Sequence, residues 1–179
     1  MTPLTVRRAS TFDVPVVASL LDEATAWLTA LGSGQWQYPP RIERIIAGVQ
    51  SGTVWMAKHD QCTVGTITVD NFADPEFWMP TDDPDDALYV HRTVVTRAAA
   101  GQRIGAALFN WASLNAEASG HTWLRLDAWA TNTQLHSYYL AQGWTHIRTL
   151  RLSHRGSGAL FQRRAGTTTP EAPKITEVQ

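Results

Sequence analysis

The stretch VVTRAAAGQRIGAAL, Val94 to Leu108, runs from β-branched residues through a small-residue turn straight into an amphipathic helical pattern. At the start of any helix the first backbone N–H groups lack an acceptor one turn earlier, and the helix dipole adds partial positive charge there. A turn as slim as AAGQRIGA, Ala99 to Ala106, lets an anion approach those groups, so it reads as a main-chain cradle for phosphate. The same small residues also suit a plain tight connection between strand and helix. Spacing alone does not separate the two readings.

Working outward, Leu88 to Val95 is expected to be a strand. Gln102 to Ser119 is expected to be a helix with Ile104, Leu108, Trp111, Leu114 and Ala118 inward, and Thr122 to Trp129 another strand. Thr131 to Gln142 then reads as a helix stopped by Gly143. Strands near Trp144 to Leu152 and Ala159 to Arg163 follow, with Gly156-Ser157-Gly158 as the turn between them. Upstream, Leu4 to Arg8 is a short strand, and Asp13 is placed to cap a helix carrying Val17, Leu20, Leu21, Ala24, Trp27, Leu28 and Leu31 on its inner face. Gly32 and Gly34 end it.

A second helix is expected after the Pro39-Pro40 pair, with Ile42, Ile45, Ile46 and Val49 on one side. Thr53 to Lys58 and Cys62 to Asp70 form a hairpin around His59, Asp60 and Gln61. Asn71 to Asp86, with three prolines and six acidic residues, is a long loop and a candidate wall of a substrate cleft. Ala165 to Gln179 lacks the apolar content to offset ordering and is expected to be a disordered tail. The remainder, residues 1–164, reads as one domain.

With 15 Lys and Arg against 16 Asp and Glu, the chain has no field suited to nucleic acid. The single cysteine, Cys62, rules out an internal disulfide and is expected to be a buried small hydrophobe. No His/Cys spacing suggests a metal site. The first residues have no signal-peptide pattern, and no stretch approaches the roughly 18 apolar residues of a membrane span. A cytoplasmic protein with no membrane partner is the expectation, with a homodimer left open.

The stretch LDAWATNTQLHSYYLAQGW, Leu126 to Trp144, carries the second pattern: Asn132 opens a helix, Tyr139 follows seven residues on, and Gly143-Trp144 closes it four further. Read locally, these are an N-cap, a core aromatic and a C-cap. Together with the turn before it, the pattern resembles the GNAT superfamily of N-acetyltransferases over residues 88–150. Val95 aligns with that family's strand-end valine and Gly105 with the last glycine of its signature. Ala100 stands where the family has Gln or Arg, and Arg103 where it has its first glycine. The cradle is built of main-chain groups, so these departures leave its donors in place.

The resemblance implies an α+β fold, a mixed central sheet of about seven strands with about four helices, splayed in the middle to hold acetyl-CoA. It implies direct acetyl transfer to an amine, without a metal. Val94 and Val95 would pair with the pantetheine arm, and Ala100, Gly101, Gln102, Arg103, Ile104, Gly105 and Ala106 would hold the pyrophosphate. Asn132 would fix the arm, and Tyr139 would bind beside the sulfur and protonate the departing thiolate.

The general base is open between two residues. Alternation along the strand places Tyr89, His91, Thr93 and Val95 on one face, and imidazole titrates nearest neutrality, which suits His91. Asp127 alternates with Arg125 and Trp129 on the neighbouring strand; either residue has an ordinary structural use as well. Trp36, Trp78 and Trp129 are candidates for the acceptor site. Asp82, Asp83, Asp85 and Asp86 in the long loop would attract a cationic amine or simply be solvated. The expected acceptor is a small-molecule amine. A peptide or protein amine is the alternative, as is an acyl-CoA-binding domain without catalysis.

Overall fold

A computed structural model describes residues 4–36 and 41–179 of the chain. The Pro39-Pro40 pair lies outside the described residues, as do the first three. The elements are β1 (Leu4–Arg8), α1 (Val14–Ala30), α2 (Ile42–Gln50), β2 (Val54–His59), β3 (Cys62–Asp70), β4 (Ala87–Val95), α3 (Ile104–Ala118), β5 (Trp123–Trp129), α4 (Thr133–Ala141), β6 (Thr145–Thr149), β7 (Ser157–Arg164) and β8 (Ile175–Glu177). The fold is α+β with a mixed sheet, and its eight described strands are one more than the sequence suggested. Two compact units divide the chain, one from Met1–Val69, Arg92–Leu108 and Glu171–Gln179, the other from Asp70–His91 and Phe109–Pro170.

In the first unit β1 runs antiparallel to β2, and β2 antiparallel to β3. The β2–β3 turn uses Asp60 and Gln61 at φ 50° and 66°, a left-handed pair whose twist matches that of a hairpin. Val17, Leu20 and Leu21 of α1 and Ile45 and Val49 of α2 bury against Val54, Met56 and Val94. Ile42 and Ile46, expected on the same face, are exposed, because a two-turn helix turns only a narrow stripe inward. Trp27 also lies outside, where the Arg97 guanidinium stacks 4.2 Å from its ring centroid. Cys62 is exposed rather than buried, since it opens β3 beside the turn.

Asp13 does not cap α1 with its side chain. Its carboxylate instead receives both guanidinium nitrogens of Arg7 at 2.8 Å each and the Ser10 N–H at 2.7 Å. These donors hold its pKa far below the ordinary carboxylate range. Ser10 therefore opens the segment, through a 3-10 turn over Thr11–Asp13.

In the second unit β4 and β5 are parallel, and β7 runs antiparallel to both β5 and β6. Phe77, Trp78, Ala87, Tyr89 and Leu160 form its core. The closing hairpin turns at Ser153-His154, inside the Leu152–Arg155 bridge, so Ser157 and Gly158 belong to β7 and not to a turn. Gly156 is needed for another reason: a Cβ there would fall 2.1 Å from the Trp129 ring.

Helix α3 starts at Ile104, two residues later than expected, because Arg103 is left-handed at φ 57°. Leu114 and Ala118 are exposed, and Ala107, Ala112 and Ala116 are buried in their place. Small side chains on the inner face bring the helix close to what it covers.

The C-terminal segment is ordered, against expectation. Ile175–Glu177 adds to β1 as a parallel strand. Thr169 exchanges hydrogen bonds with the Asn110 side chain at 2.8 and 3.0 Å. Backbone pairing, which composition does not report, supplies what the segment lacks in apolar side chains.

Within the first unit, a Cβ at Gly65 would sit 2.5 Å from the Val94 carbonyl oxygen, and backbone atoms cannot yield as a flexible side chain does. Gly65→Ala is therefore expected to destabilise by about 1–3 kcal/mol in urea unfolding. An unchanged midpoint would show that the strands part without cost.

Candidate active site

Strand β4 does not keep the alternation expected of it. Arg92 is left-handed at φ 47°; Tyr89 and Val90 are buried before it and Val94 after it, while Val95 is only half-buried. A single residue out of extended geometry bends a strand and re-aims its side chains, as in a β-bulge. Paired register with β5 ends at Val90–Leu126, although both strands continue.

His91 is the first residue beyond that pairing. Its Nε2 lies 3.2 Å from Oδ1 of Asp70 at the end of β3, and that oxygen also receives the Phe72 N–H at 2.9 Å. Asp127 lies opposite Leu160 of β7 and makes no ion pair among the described residues. Its neighbour Arg125 does not engage it. Arg125 donates instead to the carbonyls of Asp82 at 2.6 Å and Asp83 at 3.2 Å, and stacks on Trp78.

Asn132 caps α4, its Oδ1 accepting the Leu135 N–H at 3.0 Å. The Tyr139 ring lies 5.8 Å from Phe109, 5.9 Å from Trp144 and 5.3 Å from Phe161, centroid to centroid. Burial raises the pKa of its phenol well above the ordinary value, with Tyr138 and Asp127 adding to the effect. The hydroxyl has no hydrogen-bond partner among the described residues. The result is a fully protonated donor, fixed by aromatic packing and unspent.

In the turn, Ala99 N–H bonds Thr96, Ala100 N–H bonds Arg97 and Gln102 N–H bonds Ala99. The Ala107 N–H reaches the Arg103 carbonyl at 3.1 Å. The N–H groups of Arg103, Ile104, Gly105 and Ala106 thus come before the first full helical bond. Left-handed Gly101 at φ 81° and Arg103 at φ 57° curve this backbone into the form of an anion nest. Thr93 Oγ1, just upstream, is buried without a partner. A turn with surplus N–H donors fits a pyrophosphate, which brings only acceptors. The Arg103 guanidinium is held by Glu171.

Of the three tryptophans suggested for the acceptor, Trp78 is a core residue instead: it is 4% exposed and packs edge-on to Tyr89. Trp129 is half-buried over Gly156, and Trp36, at φ 60°, is half-buried against the α1 and α2 core. Part of the acidic loop's charge is committed to fixed partners. Asp82 binds Arg148 at 2.9 and 2.5 Å, Asp74 binds Arg155 at 2.6 Å, and Asp86 accepts the Thr122 N–H at 2.9 Å. The side chains of Asp83 and Asp85, by contrast, are exposed.

Among the described residues no group of His, Cys, Asp and Glu is placed to hold a metal, and no helix is long and apolar enough to cross a membrane.

Residues 19–144 match the Acetyltransferase (GNAT) family. The chain belongs to that family. It is 30% identical over 139 residues, 74% of this chain and 76% of the other, to the uncharacterized N-acetyltransferase YesJ of Bacillus subtilis (strain 168). Its fold is similar to a GNAT-family acetyltransferase from Listeria monocytogenes 4b F2365, with TM-score 0.76, 21% identity, and 90% and 94% of the two chains covered. It is also similar to N-acetylglutamate synthase from Neisseria gonorrhoeae, solved with coenzyme A and N-acetyl-glutamate. There the TM-score is 0.64 and the identity 17%, over 92% of this chain and 36% of that one.

The protein is therefore an acyltransferase of a family that uses acetyl-CoA. Two features of this GNAT chain were missed in its sequence: Asp70, which ends a strand and stands in no motif, and the left-handed Arg92, a conformation its residue type does not announce.

Arg148, with the Met79 N–H, lowers the pKa of Asp82, as Arg7 does for Asp13. Because both are depressed in the folded state, their stabilisation is complete above the unfolded value of about 3.9 and is lost as pH falls through the folded values. The Tm is expected to drop on acidification below about pH 4, and less steeply in Arg148→Met. A parallel pH dependence in the two proteins would remove Asp82 as a contributor.

Proposed function

We propose that the chain transfers acetyl from acetyl-CoA directly to a primary amine of a small molecule. The observation that carries this reading is the Tyr139 phenol, fixed by Phe109, Trp144 and Phe161 and free of any hydrogen bond among the described residues. A hydroxyl with no other acceptor is free to donate to the thiolate released when a thioester is aminolysed. Acetyl-CoA supplies the activated acyl group.

The chain's own residues bind, orient and move protons. The N–H groups of Arg103, Ile104, Gly105 and Ala106 hold the pyrophosphate, helped by the turn at Ala100, Gly101 and Gln102. Main-chain groups of Val94 and Val95 pair with the pantetheine arm as an added strand would. Asn132 steadies the arm. His91 removes the proton of the incoming amine, with Asp127 as the second candidate. Trp36 and Trp129 remain the aromatic candidates for the acceptor. Half-buried rings of this kind suit a compact amine better than an extended chain, which favours a small-molecule acceptor.

Acetyl-CoA is expected to raise the Tm, and thiol release in the presence of an amine panel is expected to reveal turnover. No shift with any acyl-CoA would overturn the reading. Tyr139→Phe is expected to lower kcat by roughly 100-fold or more with acetyl-CoA affinity unchanged. Unchanged turnover with lowered stability would make the phenol structural. Gly105→Leu is expected to weaken acetyl-CoA binding first, and unaltered affinity would move the cradle elsewhere.

A further inference from the structure

We infer that Asp70 is the positioning residue for His91, fixing its tautomer so that Nδ1 is the atom that accepts the amine's proton; this rests on the transferase reading and on His91 as the base. The contact is between Oδ1 of Asp70 and Nε2 of His91 at 3.2 Å, with each side chain 24% exposed. A carboxylate accepts hydrogen bonds and does not donate them, so the ring nitrogen facing it carries the hydrogen. In neutral imidazole the other nitrogen then holds the lone pair. Nδ1 becomes the basic atom by elimination.

Asp70 is itself held, since the same Oδ1 accepts the Phe72 N–H at 2.9 Å, a bond that fixes the carboxylate at the close of β3. The charged groups on the neighbouring elements are Arg125 and Asp127 on β5 and Arg92 on β4 itself. Arg125 is committed to the carbonyls of Asp82 and Asp83. Among the described residues only Asp70 is within hydrogen-bond distance of the imidazole. A carboxylate on one nitrogen also stabilises the imidazolium formed when the other takes a proton, and it needs no proton of its own. Asp70 touches neither substrate nor reacting atoms and acts only through His91.

Two measurements test this. In the unliganded protein at a pH where His91 is neutral, its ring nitrogen chemical shifts are expected to show the Nε2–H tautomer, and a mixture in Asp70→Ala. A dominant Nδ1–H form in the wild-type protein would overturn the assignment, whether or not any transferase activity is found.

In the thiol-release assay Asp70→Ala is expected to lose roughly 10–100-fold in kcat with the KM for acetyl-CoA unchanged. Asp70→Asn should lose about as much, because its amide is able to donate to Nε2 and favour the wrong tautomer. Combining Asp70→Ala with His91→Ala should cost no more than His91→Ala alone. Full additivity, or an unchanged kcat in folded Asp70→Asn, would overturn the positioning role. If the wild-type protein turns over no amine, the transferase reading fails, while the tautomer measurement still decides what Asp70 does.

Discussion

A left-handed arginine in the middle of a strand costs about 1 kcal/mol or more, and Arg92 accepts that cost inside β4. Buried residues fall at both alternating positions of the strand, at Ala87 and Tyr89 and at Val90 and Val94. Ala87 and Tyr89 bury among Phe77, Trp78 and Leu160, whereas Val94 buries among Val17, Ile45 and Met56, so one strand serves two sets of core neighbours. Paired register with β5 ends two residues before Arg92, and His91 is delivered to Asp70 in the interval. The position of the candidate base is therefore a consequence of backbone geometry.

Buried cations brace the second unit in an unusual way. Arg163 is 1% exposed and has no carboxylate partner among the described residues. It donates to the carbonyls of Phe109 at 2.6 Å and Gln142 at 3.2 Å, and burial pulls its pKa down to about 10. Carbonyl dipoles at the end of α4 compensate part of the desolvation that a lone buried charge would otherwise suffer. The guanidinium also stacks on Trp144, 5.2 Å from the centroid. Phe109 and Trp144 are the rings against which Tyr139 packs, so this cation ties down the bed of the proposed proton donor. Arg125 does the same for the acidic loop, through Asp82 and Asp83.

Where the sequence was legible, a periodic pattern coincided with a local stop. The α4 boundaries followed from Asn132 and Gly143, whose cap and left-handed roles the residue types themselves favour. The hairpin at Asp60-Gln61 followed from strand residues on either side of a polar turn. Where it was not legible, the deciding term lay far away in the chain. Trp78 looked free in a loop because nothing local reveals that Arg125 and Tyr89 enclose it. The acidic loop looked wholly solvated because the partners of Asp82 and Asp74, Arg148 and Arg155, come 66 and 81 residues later. The segment after Ala165 looked disordered because a strand that joins an existing edge is stabilised by backbone bonds, which hydrophobicity does not register.

The same distinction explains why the donor side of the reaction reads more clearly than the acceptor side. A pyrophosphate held by N–H groups asks only for a backbone path, and Gly101 and left-handed Arg103 provide one even though Ala100 and Arg103 depart from the family's usual residues. A main-chain site tolerates such changes because its donors are common to every residue except proline. An amine acceptor is selected by side chains, drawn from separate elements whose sequence spacing follows no rule. Asp70 and His91 illustrate the point, being neighbours in space with a whole loop between them in sequence. Family membership therefore constrains the cofactor strongly, and the choice of amine is left to side chains outside any shared motif, with Trp36 and Trp129 as the proposed candidates.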